Sequence, residues 1–201
     1  MPRRKVVSLT LRQRILSAGP VKVGELLSQT TFDRLPPSIG PAFAAMKIRW
    51  EDNRAWGQSF MLGDEYLRLG HRRGDHIAMR PHVHGLTEDQ AEDILRAALE
   101  GTALHELGHA ILDGYRTIYG DAAFRSFMAG LKEAVLQDGP ASTYFGGEVS
   151  TSWDDALHEV YAEAFRYAIV DDALAIDLPT LAAAARIPLN AVAASLDESP
   201  G

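Results

Sequence analysis

The segment from Ala103 to Leu112 reads Ala-Leu-His-Glu-Leu-Gly-His-Ala-Ile-Leu, and it constrains the fold more tightly than any other stretch. Apolar residues at 103, 104, 107, 110, 111 and 112 surround a helix nearly all round, the pattern of a buried helix rather than a surface one. Three ionisable side chains, His105, Glu106 and His109, nevertheless stand in it, and such groups in apolar surroundings need compensating partners. The helix begins upstream, where Thr87-Glu88-Asp89-Gln90 has the Ser/Thr-x-x-Glu/Gln form of a capping box. The pattern then runs to Asp113, and Gly114 is the expected stop.

His105-Glu106-Leu107-Gly108-His109 has the H-E-x-x-H form, and i, i+4 spacing puts both imidazoles on one helix face. Two aimed nitrogens at that separation suit a tetrahedral zinc ion. Glu106 projects about 100° around the helix from His105, close enough to hold a zinc-bound water and take its proton without being a ligand. With 7 His and 12 Glu in 201 residues, a chance match arises with a frequency of roughly 1–2%, so the remaining chain must supply context. The bland alternative, three hydrogen-bonded core polar groups, would need a separate partner for each in an apolar helix.

Gly108 costs such a helix about 1 kcal/mol relative to alanine. The cost implies close approach of another backbone, and a neighbouring strand would fit there. The chain has no cysteine, so a metal must be held by nitrogen and oxygen. The metzincin extension fails, because Leu112 and Tyr115 stand where its glycine and third histidine would be. A third protein ligand must come from elsewhere, leaving one position open for water.

Residues 10–29 carry two short helical patterns split by Gly19-Pro20, and Leu35-Pro36-Pro37 with Gly40-Pro41 breaks the chain. We therefore read 1–41 as a helical N-terminal segment and 42–201 as the main domain. Short β-like runs follow at Met46–Trp50, Trp56–Leu62, Glu65–Leu69 and His76–Met79, punctuated by glycines. They predict a small, largely antiparallel sheet. Helical patterns then cover about 121–137 and 153–170, with a polar loop from Gly139 to Thr151 between them. The second pattern is opened by Ser152, with Asp154 and Asp155 in its first turn. The alanine-rich tail from Leu178, with Pro179 and Pro188, predicts one or two short helices. The fold class is α+β: a small antiparallel sheet over the H-E-x-x-H helix, and a C-terminal helical half.

The candidate for the third ligand lies in Glu159-Val160-Tyr161-Ala162-Glu163-Ala164-Phe165, where Glu159 and Glu163 share a helix face. Here the chain resembles gluzincins of the anthrax lethal factor catalytic-domain type and the related Pro-Pro endopeptidases, in which a helix bearing E-x-x-A-E-A-F follows H-E-x-x-H. The resemblance covers about residues 76 to 170 and implies a zincin-like fold and zinc-dependent endopeptidase activity. It also implies Glu159 as third zinc ligand and Glu163 as the carboxylate orienting a ligand histidine. If Glu159 instead belongs to a solvated stripe with Asp155, Ala162 and Arg166, Glu163 takes its place. The 50-residue separation of Glu159 from His109 is similar to that family and longer than in the short repressor-cleaving peptidases.

In that family a tyrosine shortly before the third ligand stabilises the oxyanion, which points to Tyr144 in Ser142-Thr143-Tyr144. Tyr144 precedes Glu159 by 15 residues, farther than the family pattern, so an insertion at 146–153 is required. Tyr161 and Tyr115 are read as packing residues. His76–Arg80 is expected to be the edge strand that pairs with extended substrate. His71, His76, His82 and His84 are read as surface or hydrogen-bonding groups, and His158 as pointing away from the metal.

A formal charge of −7 and a pI near 5.5 argue against a polyanion partner, so nucleic acid is not the expected substrate. Arg3-Arg4-Lys5 is followed by too short an apolar run, Val6 to Leu11, for a signal-peptide core or membrane span. The expectation is a cytoplasmic protein or one exported by a specialised route, acting on a protein or peptide, with oligomeric state open. Two rivals remain: a catalytically silent zinc-bound binding or sensing module, and a regulatory peptidase with one intracellular repressor as substrate.

Overall fold

A computed structural model describes residues 21–50, 77–79, 88–137, 153–170 and 179–198. In chain order these form β1 (Val21–Lys22), a 3-10 turn (Val23–Glu25), α1 (Gln29–Arg34), α2 (Gly40–Ala45), β2 (Lys47–Trp50) and β3 (Ile77–Met79). Three longer helices follow: α3 (Glu88–Gln137), α4 (Trp153–Val170) and α5 (Pro179–Asp197). The class is α+β, mostly helical with a small sheet.

The sheet order is β1-β2-β3. β1 pairs antiparallel with β2, Val21 opposite Ile48, but β2 and β3 run parallel, with Ile48 opposite Ile77 and Trp50 opposite Met79. The largely antiparallel expectation is thus corrected for β3. Residues 51–76 separate the two strands, a connection long enough to return the chain in the same direction, as parallel pairing requires.

The N-terminal expectation also changes. Residues 21–22 join the sheet as a strand, and α-helix is confined to 29–34 and 40–45 among the described residues before 46. Ser28 caps α1 by accepting from Thr31 N–H. Ile39, Phe43 and Met46 are fully buried in one core on both sides of the boundary expected near 41. This region is tied to α3 by two hydrogen bonds: Ser28 N donates to Glu100 Oε1 at 2.7 Å, and Arg96 Nη1 donates to the Glu25 carbonyl at 2.9 Å.

α3 is the central helix. Ala103, Leu104, Leu107, Ala110, Ile111 and Leu112 are all buried, as their all-round apolar pattern demands. The helix does not stop at Gly114, which is buried within it; it breaks at Gly120, where φ is +79° and ψ 171°. Continued packing explains the difference, because Tyr115 still lies against the core and the next apolar set starts only at Phe124. α4 covers one side of α3 through Leu157, Val160, Tyr161, Ala164 and Phe165, and α5 adds Leu181, Ala185, Leu189 and Val192. The tail forms one helix, beginning at Pro179 and running through Pro188.

A candidate metal centre

Gly108 explains how α3 and α4 come together. A Cβ at this position would sit 2.8 Å from Ala162 Cα and 3.2 Å from its carbonyl oxygen. The close neighbour is therefore the α4 backbone, not the strand suggested by the sequence; a helix with alanine at the contact approaches closely enough to use the space. The helices run antiparallel, since Gly101 lies by Arg166, His105 by Glu163, and His109 by Glu159. Ala162 carries Glu159 and Glu163 on its flanks, so the Gly108–Ala162 contact aims both carboxylates at the histidines.

His105 Nε2 lies 3.2 Å from His109 Nε2 and 3.1 Å from Glu159 Oε2, and His109 Nε2 lies 3.4 Å from Glu159 Oε1. Ligand bonds of about 2.0–2.1 Å in a tetrahedral site imply ligand-to-ligand edges of about 3.3–3.4 Å. The separations are close to those edges, although each imidazole faces a different Glu159 oxygen, and two nitrogens and a carboxylate are a suitable donor set for a divalent cation. His105, Glu106 and His109 also form a group that could hold a metal ion, with one ligand atom each within 4.8 Å. Of the two glutamates, Glu159 faces both imidazoles, whereas Glu106 Oε1 is 3.7 Å from His105 Nε2.

On the far side of the His105 ring, Nδ1 lies 3.0 Å from Glu163 Oε1. The distance is that of a hydrogen bond, but the alignment is not, and the buried Nδ1 has no aligned partner. A modest rotation of ring or carboxylate would complete the bond. Glu163 is held in turn by Arg166, whose Nε donates to Oε2 at 2.8 Å.

The electrostatics follow from three carboxylates around two imidazoles. Burial alone would push His105 down, but the short contacts with Glu159 and Glu163 and the negative field of Glu106 and Glu163 outweigh it, raising its pKa from 6.5 to about 9. Glu106 is pushed up to about 9, first by burial and then by Glu159 and Glu163, with His105 opposing. Glu159 is held well below the usual carboxylate range by hydrogen bonds to His105 and His109, against partial burial. For Glu163, burial acts upward, but His105 and Arg166 prevail and its pKa is lowered.

The remaining expected residues fall elsewhere. Glu159 is half exposed, but Ala162, placed with it in the alternative solvated stripe, is fully buried against Gly108. Tyr161 is buried and donates its hydroxyl to the Ala185 carbonyl at 3.1 Å, while Tyr115 packs against Tyr119 and Phe127. The His158 ring lies on Phe124, 5.6 Å between centroids. Tyr144 and His71, His76, His82 and His84 lie outside the described residues; of the expected edge strand, 77–79 is β3.

Two contributors were missed by sequence reasoning. Arg166 was assigned to a solvated stripe but pairs with Glu163 at i, i+3, a spacing that could have revealed it. Gly101 makes room for it: a Cβ there would lie 3.2 Å from Arg166 Nη1. Among the described residues, no helix is long and apolar enough to cross a membrane. No protein-family model, curated protein or solved structure matches the chain.

Proposed function

We propose that this chain is a zinc-dependent endopeptidase of the gluzincin type, with His105, His109 and Glu159 as zinc ligands and a zincin-like arrangement of sheet and helices around them. The observation that carries the reading is the convergence of His105 Nε2, His109 Nε2 and the two Glu159 carboxylate oxygens, one oxygen toward each imidazole, at 3.1 to 3.4 Å. It suits a tetrahedral site and leaves the fourth corner for water or substrate.

A zinc ion bound there supplies a Lewis acid that polarises the scissile carbonyl and acidifies water. Glu106 is the general base. It stands one position along the helix from His105, buried, with Oε1 3.7 Å from His105 Nε2. Its raised pKa reflects burial beside Glu159 and Glu163; positive charge at the cluster's centre reverses that environment and favours the carboxylate. Glu106 then accepts the proton of the attacking water and passes it to the leaving amine. Glu163 accepts from His105 Nδ1–H, which leaves the Nε2 lone pair facing the metal. Tyr144 is the proposed oxyanion donor, and the substrate is a protein or peptide.

The test is zinc content and peptide-library cleavage for wild type, Glu106→Gln and Glu159→Gln. One zinc per chain, cleavage abolished in Glu106→Gln with zinc retained, and weakened zinc in Glu159→Gln are expected. Absence of zinc from the wild type overturns the reading. Bound zinc without cleavage points instead to a silent binding module or a regulatory peptidase with one narrow substrate.

A further inference from the structure

The geometry points to Arg166 as a positioning residue for the metal centre, acting through Glu163 on the His105 ring; the inference rests on the zinc-site reading above. Both Glu163 oxygens are engaged by different partners. Oε2 accepts from Arg166 Nε at 2.8 Å, and Oε1 lies 3.0 Å from His105 Nδ1. A carboxylate held at one oxygen cannot spin freely about its final torsion, so the guanidinium determines where the other oxygen sits. That oxygen stands 3.0 Å from Nδ1, a modest rotation short of accepting its proton, and the Nδ1–H tautomer presents Nε2 as a lone-pair donor toward His109 and Glu159.

Arg166 is itself held in place. Its side chain is only 21% exposed, and its guanidinium carbon lies 4.8 Å from the Tyr167 ring centroid. The absence of a side chain at Gly101 admits Nη1, which would stand 3.2 Å from a Cβ there. Gly101 and His105 lie one turn apart on α3, and Glu163 and Arg166 one turn apart on α4, so the facing turns of the antiparallel helices form a single chain from Gly101 through Arg166 and Glu163 to His105. An arginine is suited to this task because its planar fork holds direction as well as charge.

The test measures zinc affinity by competition with a chromophoric chelator, together with the visible spectrum of the cobalt(II)-loaded protein. It uses wild type, Arg166→Met, Arg166→Lys, Gly101→Ala, Glu163→Gln and the Arg166→Met/Glu163→Gln double variant. Removing partners behind a metal-bound histidine typically weakens affinity 10- to 100-fold, and roughly tenfold is expected for Arg166→Met. Lysine should recover only part of the loss. Gly101→Ala, which keeps every polar group and displaces only the guanidinium, should weaken zinc severalfold and keeps the test open if Arg166→Met fails to fold. The double variant should bind no more weakly than Glu163→Gln alone, since Arg166 acts only through Glu163. A merely structural arginine would give additive losses and an unchanged cobalt spectrum. Wild-type affinity and spectrum in folded Arg166→Met and Gly101→Ala overturn this inference while leaving the metal site intact; wild type without zinc binding overturns the site reading beneath it.

Discussion

Gly108→Ala probes the contact on which the arrangement of α3 and α4 depends. The new methyl carbon would stand 2.8 Å from Ala162 Cα, 3.2 Å from the Ala162 carbonyl oxygen and 3.3 Å from Phe165 Cβ. Favourable carbon contacts lie at about 3.5–4.0 Å, so the helices must part by about 0.7–1.2 Å at their crossing. Overpacking of this kind costs about 1–3 kcal/mol, and alanine returns up to about 1 kcal/mol in helix propensity. With that return in full the net loss is up to about 2 kcal/mol, which for a chain of this size lowers Tm by up to roughly 8 °C. Gly130→Ala is the internal control, because nothing lies within 4 Å of its added methyl. It should stabilise the protein by about 0.5–1 kcal/mol through helix propensity alone. The assay is thermal and urea unfolding of both variants in EDTA, followed by zinc titration. Because Glu159 flanks Ala162, Gly108→Ala should also weaken zinc binding at the proposed site. A Gly108→Ala protein as stable as wild type, beside a stabilised Gly130→Ala, would refute the close-approach argument.

The metal-free protein should lose stability as pH rises toward 9. His105 has a folded pKa of about 9 against 6.5, so its contribution is fully present below 6.5 and lost as pH climbs through 9. Glu106, raised from 4.5 to about 9, acts in the same direction, since its folded form keeps a proton that the unfolded chain has released. Glu159 and Glu163, both lowered, add stability above pH 4.5 that is lost on acidification. A Tm in EDTA that stays level or increases between pH 6.5 and 9 would contradict this account. Gly120→Ala tests the break in α3. Its φ of +79° with ψ of 171° lies in a region essentially restricted to glycine, so alanine should cost about 1–3 kcal/mol although its methyl meets nothing within 4 Å. An unchanged urea midpoint would count against that backbone conformation.

Much of this protein's local structure was legible in the sequence because local structure is encoded by period. The i, i+4 spacing of His105 and His109 put two imidazoles on one face, and the all-round apolar pattern around them required a buried helix. The Ser152 and Asp154-Asp155 signals opened a helix that runs from Trp153 to Val170. Glu159 and Glu163 could be assigned a common face for the same reason. Period does not encode partners. That Gly108 receives the Ala162 backbone, and thereby brings Glu159 and Glu163 to the two histidines, depends on the steric register of two residues 54 positions apart in sequence. β1 joining the sheet and β3 running parallel are likewise nonlocal choices: a two-residue strand has no period to read, and strand direction depends on the route of the intervening chain. Arg166 illustrates the boundary best. Its i, i+3 relation to Glu163 lay open in the sequence, but only the tertiary structure places that ion pair beside Gly101 and His105.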